Sequence, residues 1–244
     1  MNPQELKRFI PNSLRFWRDY LAFKRLSEQV DGRFTIKPVD VQICLYDNVP
    51  TTPFPRHYLY HPAWAARVLA RTMPEYHVDI SSSLYFVAIA SAFVPIRSYD
   101  YRPANINLSG LSMGRADLLG LDFEDSSVPS ISCMHTVEHI GLGRYGDKLD
   151  PEGDLKAIKE LKRVVAKGGD LLFVVPVGHP RICYNAHRIF SNQQVLEYFK
   201  GMELMECALI AEKDGGETLI LNPGEDAFKN STYDCGCYWF RKPK

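Results

Sequence analysis

The segment from Glu152 to Val175 constrains the fold more than any other stretch of this 244-residue chain. EGDLKAIKELKRVVAK places Leu155, Ile158, Leu161, Val164 and Val165 at helical spacing, with lysines and acids between them. Gly168-Gly169 is predicted to stop that helix, and Leu171 to Val175 follows as an unbroken apolar run. An amphipathic helix feeding a strand that is apolar on both faces is the building unit of a parallel sheet covered by helices on two sides. The same alternation starts near residue 75. Tyr76–Ile80, Pro95–Asp100 and residues 128–134 read as strands, and Leu84–Phe93 reads as a helix. Ser191 is placed to cap a helix from Gln193 to Lys200, and residues 203–211 and 232–241 read as closing strands. The predicted fold class is α/β with right-handed crossovers.

Upstream of residue 75 the pattern changes. Residues 1–30 are predicted to be helical around Pro11, with Leu6, Phe9, Leu14, Trp17, Leu21 and Leu26 at helical spacing. Lys7, Arg8, Arg15, Arg18, Lys24 and Arg25 mark the other face. That pattern suits a helix packed on the domain, or a basic amphipathic stretch making peripheral contact with a membrane surface or an acidic partner. Five prolines between Pro38 and Pro62 forbid a long helix there, so the Arg56–His61 run of aromatics and imidazoles reads as a lid or strap, with a helix starting at Pro62. The domain division expected is 1–74 for an N-terminal helical and strap extension and 75–244 for the α/β domain. Lys+Arg and Asp+Glu both number 29, so the chain lacks the basic excess of a nucleic-acid binder and none is expected as partner. No apolar run reaches the ~18 residues of a membrane span, no signal peptide is evident, and the six cysteines are scattered. A cytoplasmic location is therefore expected.

In such a sheet, ligands bind at the carboxyl ends of the strands near the switch in strand order. Three acids fall there. Asp79 ends the first strand and precedes Ile80-Ser81-Ser82-Ser83, Asp100 ends the second, and Asp117 lies before the Val128 strand. An acid after the second strand suits ribose hydroxyls, and Asp117 suits the amino group of a purine. Together the three point to a nucleoside-type cofactor.

The order resembles a class I S-adenosylmethionine-dependent methyltransferase. Cys133-Met134-His135-Thr136-Val137-Glu138-His139-Ile140 is similar to the segment after that superfamily's fourth strand, and Val164–Leu171 to the turn before its fifth. Within the superfamily, the chain resembles a domain family of unknown function in His57-Tyr58, Trp64, His77-Val78-Asp79, the EHIGLGRYGD run at 138–147 and Asn185-Ala186-His187-Arg188. The resemblance implies a Rossmann-like sheet, with S-adenosylmethionine held by Asp79, Ser81, Ser83, Asp100, Asp117 and His135. It departs from the superfamily at the turn after the first strand, where Ser81-Ser82-Ser83 replaces glycines that normally permit unusual backbone angles and close ligand approach.

His135-x-x-Glu138-His139 also has the spacing of an inverted zinc-protease motif. Some small-RNA 2′-O-methyltransferases hold a divalent ion at this place, and the similar set here is His135, Glu138 and His139 with His187. Hydrogen bonding of Glu138 and His139 to the following loop is the simpler assignment, so no metal is expected. His139, His179 and His187 are candidate general bases, since imidazole titrates near working pH, with Glu138 beside them. Arg144, Tyr145 and Asp147 form polar tips of a glycine-rich loop expected to border the acceptor. Cys235-x-Cys237 reads as strand packing. The expected activity is methylation of a hydroxyl on a small, sugar-like or glycan-precursor acceptor. The alternatives are a silent binding module and a metal-dependent enzyme using His135, Glu138 and His139.

Overall fold

The structure is a computed structural model that describes residues 3–30, 34–212 and 218–244. The chain divides into two compact units, Met1–Phe54 and Pro55–Lys244. The first is built on helix α1 (Pro3–Ser27), followed by a 3-10 turn at Pro38–Asp40. Helix α1 runs through Pro11 rather than breaking there, losing the bond that the missing N–H would have donated. Leu14 is 68% exposed, Leu6 61% and Trp17 48%, so the apolar positions picked out by spacing are not core. No helix among the described residues is long and apolar enough to cross a membrane.

The second unit begins with α2 (Arg56–Thr72), then β1 (His77–Ile80), α3 (Leu84–Ala90), β2 (Ile96–Asp100), β3 (Leu111–Arg115) and β4 (Val128–Met134). After a 3-10 turn at Val137–His139 come α4 (Gly153–Val164), β5 (Val165–Val177), the hairpin β6 (Arg181–Cys183) and β7 (His187–Ile189), and α5 (Asn192–Tyr198). The chain ends with β8 (Glu203–Ile210), β9 (Leu219–Leu221), α6 (Glu225–Lys229) and β10 (Asp234–Arg241). The main sheet has the order β3-β2-β1-β4-β5-β10-β8-β9. Strands β1 to β5 are mutually parallel, and β10 inserts antiparallel between β5 and β8. The order reverses between β1 and β4, so the switch point lies at the carboxyl ends of those two strands.

The alternation along β5 explains why both faces must be covered. Leu171, Phe173 and Val175 pack with Ile158, Leu161 and Val164 of α4 and with Val195 of α5. Leu172 and Val174 pack on the opposite face with Trp64, Val68 and Leu69 of α2 and with Phe86 and Val87 of α3. Helices therefore cover both faces of the sheet, as expected for this α/β class. Ser191 caps α5 in a reciprocal capping box with Gln194, its Oγ accepting from the Gln194 N–H at 3.1 Å.

Three expectations are corrected here. The run Arg56–His61 is not a strap: it forms the opening turns of α2, which continues through Pro62, and Leu59 N–H donates to Pro55 O at 3.0 Å. Because α2 buries Trp64, Ala65, Val68 and Leu69 in the sheet's core, it lies in the second unit rather than in an extension ending at residue 74. Helix α4 stops at Val164, not at the glycine pair. Val165 already pairs with Val128 of β4, and Gly168-Gly169 lies in a bulged part of β5, with Gly168 at φ +75° donating to Lys242 O.

Candidate active site

The switch point opens into a cavity of about 350 Å³, a size typical of small-ligand clefts. Its wall includes Ser81 from the turn after β1, Asp100 at the end of β2, Asp117 beyond β3, and His135, Thr136 and His139 beyond β4. Gly141, Tyr145 and Asp147 of the glycine-rich loop complete the rim.

Asp100 Oδ1 accepts the Arg102 N–H at 2.7 Å, and Asp117 Oδ1 accepts the Leu119 N–H at 2.9 Å. Each bond closes a tight turn and fixes a carboxylate whose second oxygen has no protein donor among the described residues. The two carboxylates thus line one cavity, as a ribose and a purine amine would require.

The serine turn solves its geometric problem by strain. Ser81 takes φ +55°, the left-handed conformation that glycine normally supplies. Its N–H donates to Tyr99 O at 2.8 Å, and its hydroxyl folds toward the same oxygen at 3.4 Å. Ser82 Oγ accepts the Met134 N–H at 3.1 Å. The backbone path of a glycine turn is therefore kept with two of the three hydroxyls turned to protein. Ser83 sits at the start of α3 without a side-chain cap bond and outside the cavity wall.

Asp79 does not face the cavity. It is fully buried, accepting from Ser132 Oγ at 2.5 Å and from the Ser82 N–H at 3.1 Å. Burial raises its pKa to about 6 against the pull of those bonds. Its role in the geometry is to hold the serine turn to β4.

His135, at φ +55°, directs its ring inward, the side chain 5% exposed. Its Nδ1 donates to Glu138 Oε1 at 2.8 Å, and its Nε2 lies 3.4 Å from Cys235 Sγ. Glu138 is 1% exposed, its Oε2 has no hydrogen-bond partner, and burial raises its pKa to about 7. Burial lowers His135 to about 4. Glu138 thus stands behind the cavity wall rather than in it.

His139 is better placed for proton transfer. Its Nδ1 faces Ala186 O at 2.6 Å, and a carbonyl only accepts, so Nδ1 carries the proton and Nε2 carries the lone pair of the neutral ring. Burial lowers its pKa, against the attraction of Glu138, whose Oε1 is 3.9 Å from His139 Nε2. His187 packs against the Tyr233 ring at 5.2 Å and lies 6.4 Å from the His139 ring, off the cavity wall. His179 is exposed.

The loop residues divide by role. Asp147 Oδ2 accepts the Gly141 and Gly143 N–H groups at 2.8 and 3.3 Å, and Oδ1 accepts the Tyr145 N–H at 3.2 Å. Partial burial works to raise its pKa, but these backbone donors hold it below the usual range. Asp147 therefore organises the loop. Arg144 donates to Ala186 O at 3.0 Å and covers the Tyr145 ring at 5.1 Å, and it lies off the cavity wall that Gly141, Tyr145 and Asp147 share. The residue missed by sequence reasoning is His57, buried in α2 with its ring stacked 5.6 Å from His135. Its pairing with His61 four residues on was a helical signal hidden by Pro62.

Comparisons with known proteins agree with this architecture. Residues 123–217, less than half of the chain, match the model of a family described as Caenorhabditis protein of unknown function, DUF268. No curated protein matches. Among solved structures, the chain is similar to 1,6-didemethyltoxoflavin-N1-methyltransferase of Burkholderia thailandensis, bound to its substrate and S-adenosylhomocysteine. That match has a TM-score of 0.54 and 9% identity, covering 76% of this chain and 79% of that one. The N-methyltransferase NodS of Bradyrhizobium japonicum WM9, bound to S-adenosylhomocysteine, matches at TM-score 0.52 and 14% identity, over 76% of this chain and 89% of that one. The [4+2]-cyclase SpnF matches at TM-score 0.50 and 13% identity, over 75% and 81%. At such identities the likeness establishes the class I methyltransferase fold, and the presence of a cyclase shows that the fold alone does not name a reaction.

Proposed function

We propose that this chain is an S-adenosylmethionine-dependent methyltransferase that methylates a hydroxyl of a small, sugar-like acceptor, such as a glycan precursor. The observation that carries the reading is the convergence of Asp100, Asp117 and the left-handed Ser81 turn on one cavity at the β1/β4 switch point. The fit is chemical: two fixed carboxylates, each with an oxygen to spare, suit a nucleoside's hydroxyls and exocyclic amine. The turn at Ser81 keeps the backbone path that leaves room beside β1.

The cofactor, when bound, supplies an electrophilic methyl group on a sulfonium. The chain's task is then positioning and proton removal. His139 suits the second task, because the Ala186 carbonyl fixes its tautomer with Nε2 as acceptor. A proton taken there leaves an imidazolium beside the buried Glu138 carboxylate. Nitrogen acceptors, as named for two of the similar structures, would not need that base. The His139 tautomer is the feature that favours a hydroxyl.

Calorimetric titration with S-adenosylhomocysteine tests the site. Micromolar binding is expected. Removing the ribose partner in Asp100→Ala forfeits hydrogen bonds to a charged group worth about 1.5–3 kcal/mol, roughly a 10- to 150-fold weaker Kd. Unchanged affinity in Asp100→Ala would refute the placement, and no binding by folded wild-type protein would favour a silent module.

A further inference from the structure

Behind the cavity wall, three segments distant in sequence bring soft and borderline donors together. His57 of α2, His135 after β4 and Cys235 of β10 each offer one ligand atom, and these atoms all lie within 4.8 Å of one another. All three side chains are buried, that of His135 to 5% exposure. We propose that His57, His135 and Cys235 form a zinc site with a fourth, open position, fastening α2 to the carboxyl-end edge of the sheet.

Four observations carry the assignment. The first is distance. Zinc–nitrogen bonds of about 2.05 Å and zinc–sulfur bonds of about 2.3 Å at the tetrahedral angle separate nitrogen from sulfur by about 3.6 Å. The observed His135 Nε2 to Cys235 Sγ distance is 3.4 Å.

The second is orientation. Glu138 Oε1 accepts a hydrogen bond from His135 Nδ1–H at 2.8 Å, so the neutral ring keeps its proton on Nδ1 and points its lone pair from Nε2 toward Cys235. A carboxylate that holds a histidine in this way is the usual outer partner of a zinc-bound imidazole.

The third is the unspent nitrogen. His57 is 5% exposed, yet its Nε2 has no hydrogen-bond partner. A buried polar atom left so is costly, and ligation removes the cost. Glu212 Oε2 approaches it to 3.5 Å from the half-exposed side, too loosely to satisfy it by a hydrogen bond.

The fourth is donor type. Two imidazoles and a thiol select zinc over magnesium or calcium, which take oxygen ligands. Cys237 is excluded from the set. Its sulfur lies 3.9 Å from Cys235 Sγ, but it does not belong to the group within mutual reach.

This set differs from the local His135, Glu138, His139 and His187 combination suggested by sequence spacing. It draws one ligand from each of three separate elements, and Glu138 becomes a positioning residue for His135 rather than a ligand. The site does not depend on cofactor binding. It shares only the His135 wall with the cavity, and metal content reports on it alone.

The test uses full-length protein stripped with chelator, then titrated with zinc and, separately, with cobalt as a spectroscopic probe. One zinc per chain and a thiolate-to-cobalt charge-transfer band are expected. Cys235→Ser should lose the band and the stoichiometric metal, and His57→Gln should lose the metal. Glu138→Gln should weaken zinc about tenfold, and Cys237→Ser should leave stoichiometry and band intact. Absence of stoichiometric metal in wild-type protein would overturn the proposal, as would cobalt binding without a thiolate band or full retention of zinc in Cys235→Ser. If Cys235→Ser does not fold, His57→Gln and the wild-type band decide. A protein that holds zinc but not S-adenosylhomocysteine supports this inference while defeating the proposed activity, and the converse result does the reverse.

Discussion

Asp79→Asn should flatten the pH dependence of stability. The wild-type carboxyl titrates near 3.8 when exposed in the unfolded chain and near 6 when folded, because burial disfavours its charge. Between those values the folded state holds the proton more tightly than the unfolded state. Stability is therefore lost as pH rises through this window. The full difference is about 3 kcal/mol, from roughly 1.4 kcal/mol per pH unit. Integrated between about pH 5 and pH 8, the part accessible to experiment is about 1.4 kcal/mol. The asparagine fits because the buried network can reverse. Asp79 accepts from Ser132, whose Oγ is 2.9 Å from His77 Nε2, and His77 Nδ1 is 2.8 Å from Ser130 Oγ. His77 is held neutral by burial. With an amide at position 79, its NH2 donates to Ser132, Ser132 donates to His77 Nε2, and His77 Nδ1 donates to Ser130. Every partner remains satisfied. Urea unfolding of both proteins across that pH range measures the effect. The difference in stability between mutant and wild type should grow in the mutant's favour by about 1.4 kcal/mol from pH 5 to pH 8. Parallel profiles would refute both the raised pKa and the reversible relay.

Three further outcomes follow from the geometry. Ser81→Gly should relieve the φ +55° backbone and raise stability by up to about 1 kcal/mol, read from the urea midpoint, without weakening S-adenosylhomocysteine binding. Gly141→Ala should destabilise by more than about 2 kcal/mol, seen as a fall in Tm, because Gly141 sits at φ +79° and an added Cβ would fall on the Asp150 carbonyl oxygen. Once an acceptor is found, His139→Gln should leave S-adenosylhomocysteine affinity intact and cut turnover about 10²- to 10⁴-fold, the usual contribution of a positioned base. Equal loss of binding and turnover would make His139 part of the cofactor site instead.

The sheet was legible because its signals are local. The β5 run Leu171–Val175 has to be buried on both faces, and the helices that bury it announce themselves by spacing. The position of Asp100 and Asp117 was legible for a related reason: the strand-end rule puts both at the carboxyl edge of the sheet, where they line the cavity. What failed to show was set by contacts across the fold. Gly168-Gly169 looked like a helix stop, but the pairing of Val165 with Val128 ends α4 earlier. Asp79 reads as a ligand contact by its position, yet the register that sets it opposite Ser132 turns its carboxylate inward. Pro62 hid the start of α2, and with it the face shared by His57 and His61. A proline seven residues into a helix forfeits its own N–H bond and crowds the carbonyl four residues back, and α2 nevertheless continues with Trp64, Val68 and Leu69 packed in the core. The histidine motif shows the limit most clearly. Spacing along one segment groups His135 with Glu138 and His139. The fold divides that group: His135 turns inward toward His57 and Cys235, 78 and 100 positions away in sequence, Glu138 orients it, and His139 lines the cavity. A spacing motif constrains which residues share a local face, and only the topology decides which of them meet a partner from elsewhere. The proposed acceptor base and the proposed zinc ligand are therefore separate functions drawn from a single five-residue signal.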